Sequence, residues 1–452
     1  MRKYSIILLT ALGLVSFSGC DDVLDVEPTT AIEAEGAITD FTTLERAALG
    51  AYSAMQSNNY YGLRYLLYQG VYTDNLEHRG TFTTDREVSA RNINASNLQI
   101  ANTWATIYTV INRANIALRA ADRLTNITDE QRDQIKGEMF FLRGLAYFDL
   151  VKVFGGVPIT LEPTTEIGEI QNAPRSTEAQ VYDAVISDLR AAEAALDGGN
   201  ERRTRATSLA ATALLARVHL QRGNYALAEE KANQVITSGE FALEEDFAKI
   251  FTTETGPEII FEVDFTLNDQ GGLGSASNPL TGGQKFYLQA EAYNALLASS
   301  LLGDERFEAT TTIQRNRRRL IKYEDVTNNA DNVPVIRLAE MYLIRAEAQA
   351  RQGIASAPAS PQVISDINRV RTRAELPPLV LLTNAQALEE ILEQRRLEFI
   401  GEGLRFIDLK RYNLLCEELN FCEDENSAFR GLWPIPLQQI EVNPNLVQNP
   451  GY

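Results

Sequence analysis

Two carboxylates one helical turn apart, Glu398 and Glu402 in RRLEFIGEGLRFIDLKR, form the most suggestive chemical pair in this 452-residue chain. A pair on one helix face could act as acid and nucleophile in glycoside hydrolysis. That reaction needs one carboxyl kept protonated, whereas Arg395 and Arg405, with Asp408 close by, would hold both groups ionised. The spacing therefore reads as a structural ion network. Little else offers catalysis. His78 and His219 are the only histidines, too few for a triad or a histidine metal site. H-E-x-x-H, G-x-S-x-G and G-x-x-x-x-G-K-[ST] are absent, and the glycine run at 271–274 lacks the lysine and strand–helix context of a phosphate loop. No catalytic residue, metal or cofactor is expected. The basic run RNRRR at 315–319 reads as a solvated or ion-paired face on so acidic a chain.

Binding chemistry is better supplied. Sugar rings stack their C–H faces on aromatic side chains and need Asp, Asn, Gln or Arg to orient their hydroxyls. NYYGLRYLLYQGVYTDN, residues 59–75, holds five of the 17 tyrosines. Tyr61, Tyr65, Tyr68 and Tyr72 recur at i, i+4, i+7, i+11, a helical stripe that predicts core. Tyr60, at the loop edge, and Asp74, Asn75 and Arg79, which follow the helix, are the expected solvent-facing contacts. The glycine-rich stretch 266–285, ending at Phe286 and Tyr287, is the second candidate wall, because so long a loop in a compact domain normally has a use.

The elements that must position these residues are mostly helices. Apolar residues fall at i, i+3, i+4 over 41–57, 98–124, 128–154, 176–197, 204–222, 224–238, 335–352, 360–374 and 384–412. Thr128, Ser176 and Thr383 or Asn384 are the expected caps. Strand-like alternation is confined to short pieces, chiefly EIIFEVDF at 258–265. In LLARVHLQRGNYALAEEKANQVI, Gly223, Tyr225 and Ala228 stand where a tetratricopeptide repeat has its turn glycine, packing aromatic and close-contact alanine. With 337–374, 128–197 and 41–124, the expectation is a mainly α fold of about four tetratricopeptide-like helix pairs. Irregular loops, a few short strands and a long C-terminal tail, PIPLQQIEVNPNLVQNPGY at 434–452, complete one compact unit. Such repeats make scaffolds. In GEMFFLRGLAYF, Glu138 and Arg143 are expected to form a partly buried charge pair.

Charge and the first residues bound the rest. Arg2 and Lys3 precede a short apolar core, Ile6 to Val15, then Ser16, Ser18 and Gly19, the pattern of a secretory signal peptide over residues 1–19. The Cys20 that follows resembles the acylated first residue of a bacterial lipoprotein. Its acyl chains would tether the protein to a membrane that it does not span. Removing residues 1–19 takes away two basic residues and no acid, leaving 40 Lys+Arg against 61 Asp+Glu, a charge of −21. So acidic a chain is a poor partner for nucleic acid. Cys416 and Cys422, with five residues between them in an oxidising compartment, are expected to form a short-loop disulfide.

Several blocks together carry a family likeness. NTWATIYTVINRANIAL (102–118), GEMFFLRGLAYFDLVKVFGGVPI (137–159), RLAEMYLIRAEAQARQG (337–353), INRVRTRAEL (367–376), EQRRLEFIGEGLRFIDLKRYN (393–413) and the tail resemble the SusD/RagB family of surface lipoproteins. Gln394 stands where the family usually carries a glutamate. The resemblance implies an N-terminal half at 20–240 and a C-terminal half at 241–452 that holds the ligand loop, the last repeat pair and the tail. It also implies a non-catalytic oligosaccharide-binding protein at the outer face of the outer membrane, with Asp21 and Asp22 as its export signal. Its partner would be a SusC-like TonB-dependent transporter, for which it acts as the lid. The RagB branch keeps peptide capture open as a variant, and a surface glycoside hydrolase is the competing class.

Overall fold

The computed structural model describes residues 34–164, 173–196, 203–278, 285–419, 421 and 430–452. The chain divides into residues 1–39, whose described part, 34–39, holds a four-residue helix at Ala34–Ala37, and a compact unit of residues 40–452. The second unit is mainly helical, and its long helices stack in chain order. Helix α1 (Phe41–Met55) is followed by the short α2 (Arg64–Val71), then α3 (Leu98–Arg123), α4 (Asp129–Phe154), α5 (Glu178–Ala195), α6 (Ser208–Gln221) and α7 (Tyr225–Thr237). Further on come α8 (Leu338–Gln352), α9 (Pro361–Arg373), α10 (Asn384–Phe399) and α11 (Arg405–Arg411). Helix α1 packs on α3, α4 on α5, α6 on α7 and α8 on α9, and each pair lies against the next through α3–α4, α5–α6 and α7–α8. This is the expected array of four repeat pairs. Gly223 makes the α6–α7 turn at φ +73°, and Ala228 is fully buried where the two helices meet.

Local chemistry accounts for most boundaries. Thr128 and Thr383 cap α4 and α10 with reciprocal bonds to the glutamines three residues on. Helix α5 starts on Thr177, not Ser176, since Thr177 and Gln180 form the same box. The apolar period over 384–412 is broken in the middle: Gly401 and Gly403 adopt φ +84° and +75°, ending α10 at Phe399 and letting α11 start afresh at Arg405. The period over 335–352 likewise begins late, because residues up to Arg337 are strand.

Three antiparallel ribbons supplement the helices. Strand β1 (Leu76–His78) pairs with β3 (Phe286–Leu288), with His78 opposite Phe286. Strand β2 (Ile259–Val263), the core of the expected EIIFEVDF strand, pairs with β6 (Val333–Arg337). Strands β4 (Thr311–Gln314) and β5 (Arg317–Leu320) form a hairpin whose turn residues Arg315 and Asn316 both have positive φ, the type I′ geometry that follows strand twist. The tail seals the body. Trp433, fully buried, packs edge-on against Tyr68, Tyr72 and Phe154, and the Asn449 amide donates to the carbonyls of Phe154 and Trp433.

Candidate functional site

The residues that first suggested chemistry lie in the core, tied to one another. Glu398 is completely buried and accepts from Arg337 (3.0 Å), Arg306 (3.1 Å) and Arg373. Glu402 accepts from Arg337 Nε (2.9 Å) and Lys322 Nζ (2.8 Å). Burial alone would raise Glu398, but Arg373, Arg337, Arg306 and Lys322 outweigh it and hold the carboxyl far below its usual range. A group so firmly ionised cannot serve as a general acid. Gln394 joins the cluster as a neutral acceptor for Arg306 (2.8 Å). Glu138 and Arg143 are both buried and paired, though not with each other: Glu138 takes Arg205 (2.6 Å) and Arg143 grips Asp188 (2.7 and 2.8 Å). Five residues along a helix is about 140° around it, so the two point to different neighbours.

Of the expected contacts, three are internal. Tyr60 is fully buried, and its hydroxyl donates to Asp149 Oδ2 (2.6 Å) beside that of Tyr61 (2.8 Å), while Lys152 pairs with the other oxygen (2.6 Å). It therefore belongs to the tyrosine core, with Tyr61, Tyr65, Tyr68 and Tyr72. Asp74 faces inward too, gripped in two places by Arg405 (2.9 and 2.8 Å) and by Arg396 (2.9 Å). Its burial favours the neutral acid, but the two arginines prevail and lower it. Asn75, also buried, accepts from Arg396 Nε (3.2 Å). Both residues were expected to face solvent; they instead clamp the α2–β1 connection to α10 and the start of α11. The disulfide expectation falls partly outside the described residues: Cys416 is disulfide-bonded, while Cys422, like Cys20, is not described.

The remaining three residues come together on the β1–β3 ribbon. Arg79 is exposed and Phe286 and Tyr287 are largely buried, with the Arg79 guanidinium 5.9 Å from the Tyr287 ring centre. Two neighbours missed in the sequence complete the face. Phe82, which precedes the short helix Thr83–Ser89, is 55% exposed and is the one exposed aromatic side chain among the described residues. Lys285 Nζ lies 4.7 Å from its ring centre. Arg317, from the basic run read as a solvated face, lies 5.1 Å from the Tyr287 ring centre. Beneath, the His78 ring is fully buried against Phe286 (5.3 Å), with Nε2 3.3 Å from Asp85 Oδ2. Gly80 lies directly over that imidazole, where a Cβ would come within 2.5 Å of Nε2. Asp85 also takes the Tyr68 hydroxyl. The result is a rigid base presenting an aromatic, donor-rich surface, able to stack a ring and to hydrogen-bond acceptors around it.

A helical-repeat scaffold that carries such a surface on loops defines a class of binding proteins, and comparison with known proteins places the chain within it. A family model described as starch-binding and associating with the outer membrane matches residues 22–220, and the SusD family model matches residues 281–452. The chain belongs to the SusD/RagB family. A SusD-like protein of Formosa agariphila is 27% identical over 99% of this chain and 98% of its own length. The crystal structure of a SusD superfamily protein from Bacteroides thetaiotaomicron shares 26% identity and aligns with a TM-score of 0.79 over 91% of this chain and all of that one. A laminarin-binding SusD-like protein, 23% identical, has the same fold, with a TM-score of 0.78 over 92% of this chain and 100% of its own.

Proposed function

We propose that the protein captures oligosaccharides at the outer surface of the outer membrane and presents them, as a lid, to a SusC-like TonB-dependent transporter. The observation that carries the binding part is Phe82: an exposed aromatic on a ribbon braced from below, flanked by Lys285, Arg79 and Tyr287. Exposed aromatics at this density of hydrogen-bonding groups are typical of binding hot spots. The starch-binding description of the family and the laminarin-binding relative support a glycan ligand over a peptide. The carboxylates that could have hydrolysed one are locked in the ion network, which favours a binder over an enzyme. A lipid anchor at Cys20 would supply the membrane attachment, since among the described residues no helix is long and apolar enough to span. Cys416 would be bridged to Cys422, and thiol titration of the unfolded, unreduced protein tests that pairing.

Titration calorimetry against a panel of glycans, run with wild type and Phe82→Ala, tests the reading. Phe82→Ala should weaken binding by about 1–2 kcal/mol, ten- to thirtyfold, with an unchanged melting temperature. Wild-type-like binding by Phe82→Ala would move the site elsewhere. Cys20→Ala should release the protein from membranes; continued membrane association would remove the anchor from the model.

A further inference from the structure

We propose that the ligand of the Phe82 face is an acidic oligosaccharide, one bearing carboxylate or sulfate groups; this rests on the glycan-binding reading above. Five cations converge on the ribbon: Arg79, Arg86, Lys285, Arg317 and Arg318. Arg86, Lys285 and Arg317 form no ion pair among the described residues; Arg86 only donates Nε to the Gly80 carbonyl (3.0 Å). Arg79 (2.6 Å) and Arg318 (3.3 Å) share a single carboxylate, Glu77. The other nearby acids are occupied. Asp85 is buried under the Tyr68 hydroxyl and beside His78, and Glu87 accepts from Asn94 N (3.1 Å) and Asn97 Nδ2 (2.7 Å).

This balance is the reverse of the molecule's. The chain as a whole carries a formal charge of −19, and the buried arginines of its core are matched to carboxylates. The ring and backbone contacts of these cations fix their positions but leave most of their charge without an opposite one. Lysine and arginine are donors only. A neutral sugar offers hydroxyls, each of which needs an acceptor as readily as a donor, and the charged side chains gathered here are mostly donors. A uronate or sulfate group offers acceptors alone, and its charge-assisted bonds to guanidinium are the stronger kind. The unfavourable field of the distant acids is screened beyond a Debye length of ~8 Å at physiological salt, so the local cations decide the sign. Phe82, the exposed ring, then supplies the stacking surface that distinguishes a glycan from a bare anion, while Tyr287 beneath holds Arg79 and Arg317 in place.

The test compares ligands of equal length by titration calorimetry with the mature protein: an oligogalacturonate, a sulfated galactan oligosaccharide, a neutral β-1,3-glucan and an oligoglutamate peptide. At least one acidic glycan should bind about tenfold or more tightly than the neutral one, because its charge-assisted bonds are the stronger kind. Which of the two binds better tells carboxylate from sulfate, and either supports the proposal. Arg317→Ala and Lys285→Ala should each weaken that binding severalfold with an unchanged melting temperature, and added salt should weaken it further. Equal or tighter binding of the neutral glucan, lost in Phe82→Ala, overturns the acidic preference and leaves the glycan reading standing. Oligoglutamate binding as tightly as the acidic glycans overturns it as well. No binding by any of the four overturns both.

Discussion

Charge is used in two opposite ways in this molecule. Around α8 and α10 it is buried and matched: Arg337 alone reaches Glu258 (2.5 Å), Glu398 (3.0 Å) and Glu402 (2.9 Å), and each of those carboxylates has a second cation. On the β1–β3 ribbon charge is exposed and under-matched, with Arg79 and Arg318 sharing Glu77 and no ion pair for Arg86, Lys285 or Arg317 among the described residues. The first arrangement is self-sufficient and fixes the geometry of the repeats, at the cost of depending on every member. The second is incomplete within the chain, and incompleteness at a rigid surface is what recognition requires. The same residue type, arginine, thus marks scaffold or site according to whether the fold supplies its partner.

Breaking a member of the matched set should have the largest effect. Glu398→Ala leaves Arg306, Arg337 and Arg373 short of an acceptor in a dry site, and should destabilise by ~3–5 kcal/mol in urea unfolding. A loss under about 1 kcal/mol would undo the contrast. Asp74→Ala should follow at roughly 2–4 kcal/mol, because it frees Arg405 and Arg396 where they are buried, and it should leave intrinsic ligand affinity nearly unchanged. Loss of affinity with full stability would return Asp74 to the binding face.

A third prediction concerns a single acid in the scaffold. Glu262 is buried, and burial raises its carboxyl to about 7 despite bonds to its Oε1 from Asn332 (2.8 Å) and the Thr255 amide (2.9 Å). The folded chain therefore keeps a proton that the unfolded chain, at the ordinary 4.5, gives up sooner. Its contribution to stability is complete at acid pH and is lost as pH rises from 4.5 towards 7. Glu262→Gln keeps both bonds to Oε1 and removes the charge. It should stabilise the protein by ~1–2 kcal/mol at about pH 8 and by almost nothing at about pH 4.5, read as melting temperature at the two pH values. An equal effect at both would show that charge is not what the site resists. The smallest change in stability, within ~0.5 kcal/mol, is expected for Phe82→Ala, whose effect belongs to binding.

Much of the scaffold was legible because its signals are local. The 3.6-residue period placed the repeat helices, capping residues marked the starts of α4 and α10 and missed that of α5 by one residue, and the Tyr61–Tyr72 stripe announced core. The glycines at 401 and 403 were readable as a break but were overridden by the apolar period on either side. The site was legible only in outline. Asp74 and Asn75 have the right chemistry for solvent, and nothing nearby shows that they face inward; the arginines that turn them lie more than 300 residues away. Tyr60 was misplaced for the same reason, since its partner Asp149 is on α4. Phe82, alone in a threonine-rich turn, carries no periodicity to single it out. Arg317 was passed over because an acidic chain makes any basic run look solvated. The Arg315–Asn316 turn that projects it over Tyr287 is visible only once its positive φ angles are known.

Trp433 and Asn449 set a condition on the order of assembly. The Trp433 amide donates to Val153 O (2.7 Å), and Asn449 reaches Phe154 across 295 residues. The aromatic heart between α2 and α4 therefore stays open until the chain through Asn449 has been made. Contacts of such long range form late and slowly. A copy that stopped short of Trp433 would build its repeats yet leave Tyr68, Tyr72 and Phe154 bare, a sticky half-product suited to recognition by proteases. Only a chain finished to that point can close over its own middle.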